Sequence, residues 1–99
     1  MLIVTGIIEM PEDAFEAARP ALRKMTAATL EEPGCIIYGF WQDPDNPGRL
    51  RVYEEWEGRA ALDAHFASEH MAEFRAAMAE IGPISREIVA IEAGQVEPV

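Results

Sequence analysis

Positive charge is scarce in this chain. Eight Lys and Arg stand against 18 Asp and Glu in 99 residues, a formal net charge of -10 at pH 7. Binding to nucleic acid draws on clustered Lys and Arg to neutralise phosphates, so this field argues against nucleic acid and against an anionic membrane as partners. Cysteine is scarcer still. Cys35 has no second cysteine to form a disulfide with and none at metal-ligand spacing, and it reads as a small buried hydrophobe. No apolar run approaches the ~20 residues of a membrane span. The N-terminal stretch Met1 to Ile8 has no basic leader and is interrupted by Glu9, so it reads as a strand, not a signal peptide, and the expected location is the cytoplasm. A glycine-rich phosphate loop, a Ser-His-Asp signature and a Cys/His metal pattern are all missing, which removes most familiar enzyme classes.

What is present fits a soluble globular fold. Hydrophobic residues make up 49% and charged residues 26% of the chain, close to the usual balance. The length suits one domain, residues 1–99, and is too short for two. A chain this small buries only about two thirds of the surface its unfolded form exposes, so self-association is a natural source of further burial.

The pattern along the chain alternates in type. Leu2 to about Glu9 is a short β-branched run and predicts the first strand. Pro11 and Glu12 suit the first turn of a helix whose buried stripe is Phe15, Ala18, Leu22, Met25 and Thr29 or Leu30. Pro20 removes a hydrogen bond to the carbonyl of Glu16 and predicts a kink or restart. Glu32-Pro33-Gly34 ends that helix. Strands follow at Cys35–Trp41 and Leu50–Trp56, separated by the turn formers of Gln42 to Gly48 and expected to pair antiparallel. A helical region from Gly58 to about Ile81 is expected to break near Ser68, a natural N-cap. Gly82-Pro83 stops it, and Ile84 to about Val96 predicts the last strand.

The resulting order, β-α-β-β-α-β, predicts a ferredoxin-like α+β fold: a four-stranded antiparallel sheet with helices on one face. The second strand is apolar on both alternating sets, Cys35, Ile37 and Trp41 against Ile36, Tyr38 and Phe40. A wet sheet face shows polar residues outward, so a second copy of the chain is expected to cover the face that the helices leave open.

Aromatic and titratable residues concentrate between Tyr53 and Phe74. His65 lies three residues after Leu62 and one before Phe66, at the border of an apolar helix face, where it reads either as a packed histidine or as a general base. His70 reads as a surface or capping residue, and a zinc site from His65, Glu69 and His70 has no recognised ligand spacing. Glu54 and Trp56 share a strand face with Leu50 and Val52. A carboxylate among such neighbours either anchors a salt bridge at a dimer interface or sits in a polar pocket.

Several segments together carry a resemblance: Glu32-Pro33-Gly34-Cys35 with Ile37-Tyr38, Val52-Tyr53-Glu54-Glu55-Trp56, and Ala61-Leu62-Asp63-Ala64-His65-Phe66 with Ser68-Glu69-His70 and Phe74. In order and separation these resemble the antibiotic biosynthesis monooxygenase domain family, and most closely its quinol monooxygenase-like branch. The resemblance implies a dimeric α+β barrel in which two sheets face each other, with a pocket in each subunit between helices and sheet. Members of that branch oxidise quinols or polyketide phenols with molecular oxygen and without flavin, haem or metal. Relatives that degrade haem use an Asn on the first strand and a late helical His. Here those places hold Thr5-Gly6-Ile7 and Phe74-Arg75-Ala76. On the quinol reading His65 is the catalytic base and Trp56, Glu54, Phe66 and Tyr38 bind a small aromatic substrate, with no cofactor. Two other readings keep the same pocket: acid/base isomerisation or breakdown of a small carbonyl metabolite, and a noncatalytic ligand-binding dimer.

Overall fold

Residues 1–99 are described by a computed structural model. The strand β1 (Leu2–Glu9) leads through a single 3-10 turn (Glu12–Ala14) into α1 (Phe15–Leu30). Then come β2 (Cys35–Asp43), β3 (Asn46–Trp56), α2 (Arg59–Phe66), α3 (Glu69–Ala79) and β4 (Ser85–Glu92). The strands form one antiparallel sheet in the order β2-β3-β1-β4, the ferredoxin-like arrangement expected from the element order.

Alternation decides which side chains meet the helices. On β3 the set Leu50, Val52, Glu54 and Trp56 is buried on the helix-covered inner face, while Arg49, Arg51, Tyr53 and Glu55 take the outer face. The inner face joins two apolar clusters, one around Ile8, Leu22, Leu50 and Met78 and one around Val4, Met25, Trp56 and Leu62. Phe40 and Phe74 pack against both clusters, their rings stacked with centroids 5.9 Å apart. On α1 the stripe closes with Thr29 buried and Leu30 turned to solvent.

The structure corrects four local expectations. α1 runs uninterrupted through Pro20; both Pro20 and Glu16 are exposed, so water can satisfy the carbonyl that the proline leaves unpaired. The loop expected over Gln42 to Gly48 is mostly strand, with only Pro44-Asp45 at its tip. There Asp43 Oδ1 accepts from Asp45 N at 2.7 Å and Asn46 Oδ1 from Gly48 N at 3.0 Å, so the turn formers bond their own backbone and let the ladder continue. In β2 an extra residue intervenes between Cys35, opposite Trp56, and Ile37, opposite Glu55. This irregularity puts Cys35 against the inner cluster, not on the face of Ile37 and Trp41. β4 ends at Glu92, opposite Leu2, because its only neighbour β1 ends there and offers no further partners.

The outer face remains apolar and open. Trp41 is 54% and Val89 59% exposed, and Ile37 and Ile91 lie on the same side. No helix is long and apolar enough to cross a membrane.

Gly6 lies in β1 beside β4, opposite Ile88. A Cβ there would sit 2.0 Å from the Glu87 carbonyl oxygen and 2.6 Å from the Ile88 Cα. Gly6→Ala is therefore expected to destabilise the fold by at least about 1–3 kcal/mol through overpacking. Urea denaturation followed by circular dichroism checks this, and an unchanged midpoint would show that β4 can move aside freely.

Candidate functional site

A cleft of about 490 Å³ opens between the inner face of the sheet and the α2–α3 pair, a size that suits a small organic molecule. Its walls are mostly apolar: Val4, Ile8, Val52 and Ile88 from the sheet, Leu62 from α2, and Met71, Phe74 and Met78 from α3. The cleft exists because the second helical region is two helices. Ser68 caps α3, its Oγ accepting from Met71 N at 3.2 Å and donating to the His65 carbonyl at 2.7 Å. A cap of this kind contributes about 1 kcal/mol and fixes where the chain turns.

Three of the five residues singled out in the sequence, Tyr38, Glu54 and Phe66, line the cleft. His65 and Trp56 do not; each is 0% exposed and lies behind that lining. His65 shares the buried face of α2 with Leu62, and Phe66, 42% exposed, takes the border position instead. The His65 ring is wedged among aromatics, with centroid distances of 4.8 Å to Trp56 and 5.5 Å to Tyr38.

Glu54 is the one carboxyl group in the cleft, and only 6% of it is exposed. It faces the helices, which rules out the interface salt bridge on the outer face as its setting. Its Oε1 accepts from Trp56 Nε1 at 2.9 Å. Burial pushes the Glu54 carboxyl up to about 7; the Trp56 hydrogen bond and the Arg86 charge oppose that rise, and the Glu32 charge adds to it. The same desolvation holds the Tyr38 phenol well above its usual range and pushes the Cys35 thiol up to about 11, leaving both protonated at neutral pH.

Behind the cleft, one oxygen joins both histidines. Glu32 Oε2 lies 2.6 Å from His65 Nδ1 and 2.9 Å from His70 Nε2. An ionised carboxylate only accepts, so both nitrogens donate to it. That assignment puts the neutral His65 proton on Nδ1 and leaves a lone pair on Nε2, which is buried and has no partner. Burial lowers the His65 pKa, against the Glu32 hydrogen bond and charge that raise it.

Glu32, His65 and His70 also form a compact group of metal-ligating types, their donor atoms all within 4.8 Å of one another. Glu69, considered from the sequence, is not part of it. Two ligands of a tetrahedral zinc with bonds of ~2.0–2.1 Å stand roughly 3.3 Å apart. The contacts here, 2.6 and 2.9 Å, are hydrogen-bond distances instead.

Sequence reasoning did not find Glu32 or the three arginines of the cleft, Arg59, Arg75 and Arg86. For Glu32 no local signal exists, since 33 residues separate it from His65. For Arg86 there was one: it is the charged member of the inward set Arg86, Ile88 and Ala90.

The chain is a ferredoxin-like α+β domain with a mostly apolar cleft on the helix-covered face of its sheet. More specifically, the chain belongs to the antibiotic biosynthesis monooxygenase family, whose sequence profile matches residues 1–77. A Mycobacterium tuberculosis protein named as a putative monooxygenase is 36% identical over 69 residues, 70% of this chain and 67% of that protein. A Synechocystis protein of uncharacterized function is 33% identical over 73 residues. That match takes in 74% of this chain and spans only half the length of the relative. The crystal structure of a Deinococcus radiodurans protein, titled a putative antibiotic biosynthesis monooxygenase, superimposes with a TM-score of 0.91 at 25% identity, covering 100% of this chain and 98% of that one.

The raised Glu54 value links stability to pH. In the folded chain the carboxyl holds its proton up to about 7, whereas an unfolded carboxyl releases it near its ordinary value of 4.5. Its contribution is therefore full below 4.5 and is lost as pH rises toward 7. Glu54→Gln keeps an oxygen to accept from Trp56 and carries no charge. Thermal denaturation is expected to show the variant more stable than the parent at pH 8, with the gap closing by pH 5. A gap independent of pH would mean that Glu54 is ionised at both.

Proposed function

We propose that the cleft oxidises a small quinol or phenol with molecular oxygen and no cofactor, and that Glu54 takes the substrate's hydroxyl proton. The observation that carries this reading is a carboxyl group near neutrality inside an apolar cleft. A base is most effective when its pKa lies near the working pH, and Glu54 meets that condition where an exposed glutamate does not. Proton transfer makes the carboxyl neutral and the substrate an electron-rich anion. That anion gives an electron to oxygen, and recombination forms a peroxide on the ring. Loss of water then leaves a hydroxyquinone. Quinol plus oxygen thus yields hydroxyquinone plus water, with no external reductant. The monooxygenase names of the M. tuberculosis and D. radiodurans relatives support the same class of reaction.

Tyr38 and Phe66 would bind the ring in this cleft as aromatic walls. Trp56 acts through Glu54: its N–H holds the carboxylate oxygen and keeps the pKa from rising further. A second reading keeps His65 as the base, favoured by its unpartnered Nε2. It requires the Tyr38 and Trp56 wall to part and admit substrate.

The outer sheet face completes the proposal. A homodimer in the cytoplasm, joined through Ile37, Trp41, Val89 and Ile91, would cover an apolar surface otherwise left in water.

Oxygen uptake with a panel of hydroquinones separates these roles. Glu54→Gln is expected to slow turnover by ~10²–10⁴-fold, with His65→Gln close to the parent. The reverse pattern would move the base to His65. The rate should rise with pH through the Glu54 value of about 7, and Trp56→Phe should shift that limb upward. Turnover without oxygen would instead indicate isomerisation or breakdown of a carbonyl metabolite, and binding with no turnover a noncatalytic ligand carrier. Light scattering at micromolar concentration is expected to give twice the chain mass, and Trp41→Glu the monomer.

A further inference from the structure

The cations of this chain are few, and their distribution is uneven. Arg59 at the start of α2, Arg75 on α3 and Arg86 on β4 all line the cleft. None of the three has a carboxylate within ion-pair distance; the cations that do are Arg19, Lys24 and Arg49, outside the cleft, besides the two histidines on Glu32. In a chain with 18 acidic side chains and only 8 Lys and Arg, partners for a guanidinium are plentiful. Arg23 and Arg51 also lack one, but they lie outside the cleft; Arg59, Arg75 and Arg86, from three different elements, all line it.

The charges reach the groups inside. Arg86 acts on Glu54 and Arg75 on His65, so the charges of these two exposed lining residues are felt by the groups within. The only acidic lining residue is Glu54, which burial keeps largely protonated toward acid pH. The cleft is thus a positive opening over an apolar floor, in a molecule whose net charge is -10.

We propose that the cleft selects an aromatic acid: a ring on the apolar floor and a carboxylate held by Arg59, Arg75 and Arg86. Guanidinium groups pair with carboxylates through two parallel hydrogen bonds, which fixes orientation as well as charge. A monoanion also meets less repulsion from the rest of the chain than a phosphate carrying about two charges. The proposal deepens the oxidation reading by naming its substrate class, and it rests on that reading only for what happens after binding. Of the three, Arg86 alone lies beyond residues 1–77, the stretch matched by the family profile, and comes from the last strand.

The test measures binding without oxygen, so that it stands apart from turnover. Titration calorimetry of the full chain under nitrogen compares a dihydroxybenzoate, hydroquinone and phenyl phosphate. The dihydroxybenzoate is expected to bind at least tenfold more tightly than hydroquinone. In Arg75→Gln/Arg86→Gln, two exposed positions where the fold should survive, that ratio should fall toward one, with thermal denaturation confirming folding. Equal affinities in the parent, a ratio unchanged in the variant, or tighter binding of phenyl phosphate would each overturn the proposal. A carboxylate preference with no oxygen uptake would uphold it and remove the oxidation reading. Oxygen uptake with no carboxylate preference would do the reverse.

Discussion

The architecture of the site depends on where one helical region is made to break. A continuous helix from Arg59 to Ala79 would run straight across the sheet and carry its residues along one line. Ser68 prevents that with a single hydroxyl that closes α2 at the His65 carbonyl and opens α3 at the Met71 amide. The turn brings His65, at the end of α2, and His70, at the start of α3, to the same oxygen of Glu32. The angled pair then leaves a cleft above the inner face of the sheet.

Two carboxyl groups sit on either side of the buried Trp56–His65 pair, and they are treated differently. Glu32 meets a ring nitrogen of each histidine, His65 Nδ1 and His70 Nε2, on one oxygen. Glu54 has one indole N–H and an apolar enclosure, so desolvation outweighs its stabilising contacts. The Glu32 charge adds to the rise at Glu54, Tyr38 and Cys35 alike. One carboxylate thus anchors the histidines and raises the pKa of three other groups. The proposed base and the proposed arginine subsite both belong to this cleft, the first at its floor and the second around it.

Much of this was legible from local pattern. Period-two alternation placed Glu54 and Trp56 with Leu50 and Val52, the helical stripe on α1 was read correctly, and the Ser68 break followed from capping chemistry. Each is decided by neighbours a few residues away. Where local signals are symmetric, reading fails. Cys35, Ile36 and Ile37 are all apolar, so nothing in them marks the irregularity that sends Cys35 inward. Turn formers at Asp43 and Asn46 support a strand end as readily as a loop, and the ladder with β3 decides between them.

The sequence by itself therefore determined the order of elements, the alternation of β3 that groups Glu54 with Trp56, and a histidine beside the apolar stripe of a helix. Only the tertiary structure decided which group meets the cleft. His65 turned out to be walled off and Glu54 exposed to the cavity, although both are buried and titratable. The reason is physical: periodicity specifies the direction of a side chain relative to its own element, within one or two turns. Partners such as Glu32 for His65, or Arg86 for Glu54, are set by how elements far apart in the chain pack, and so are the desolvation and the charges that fix their chemistry.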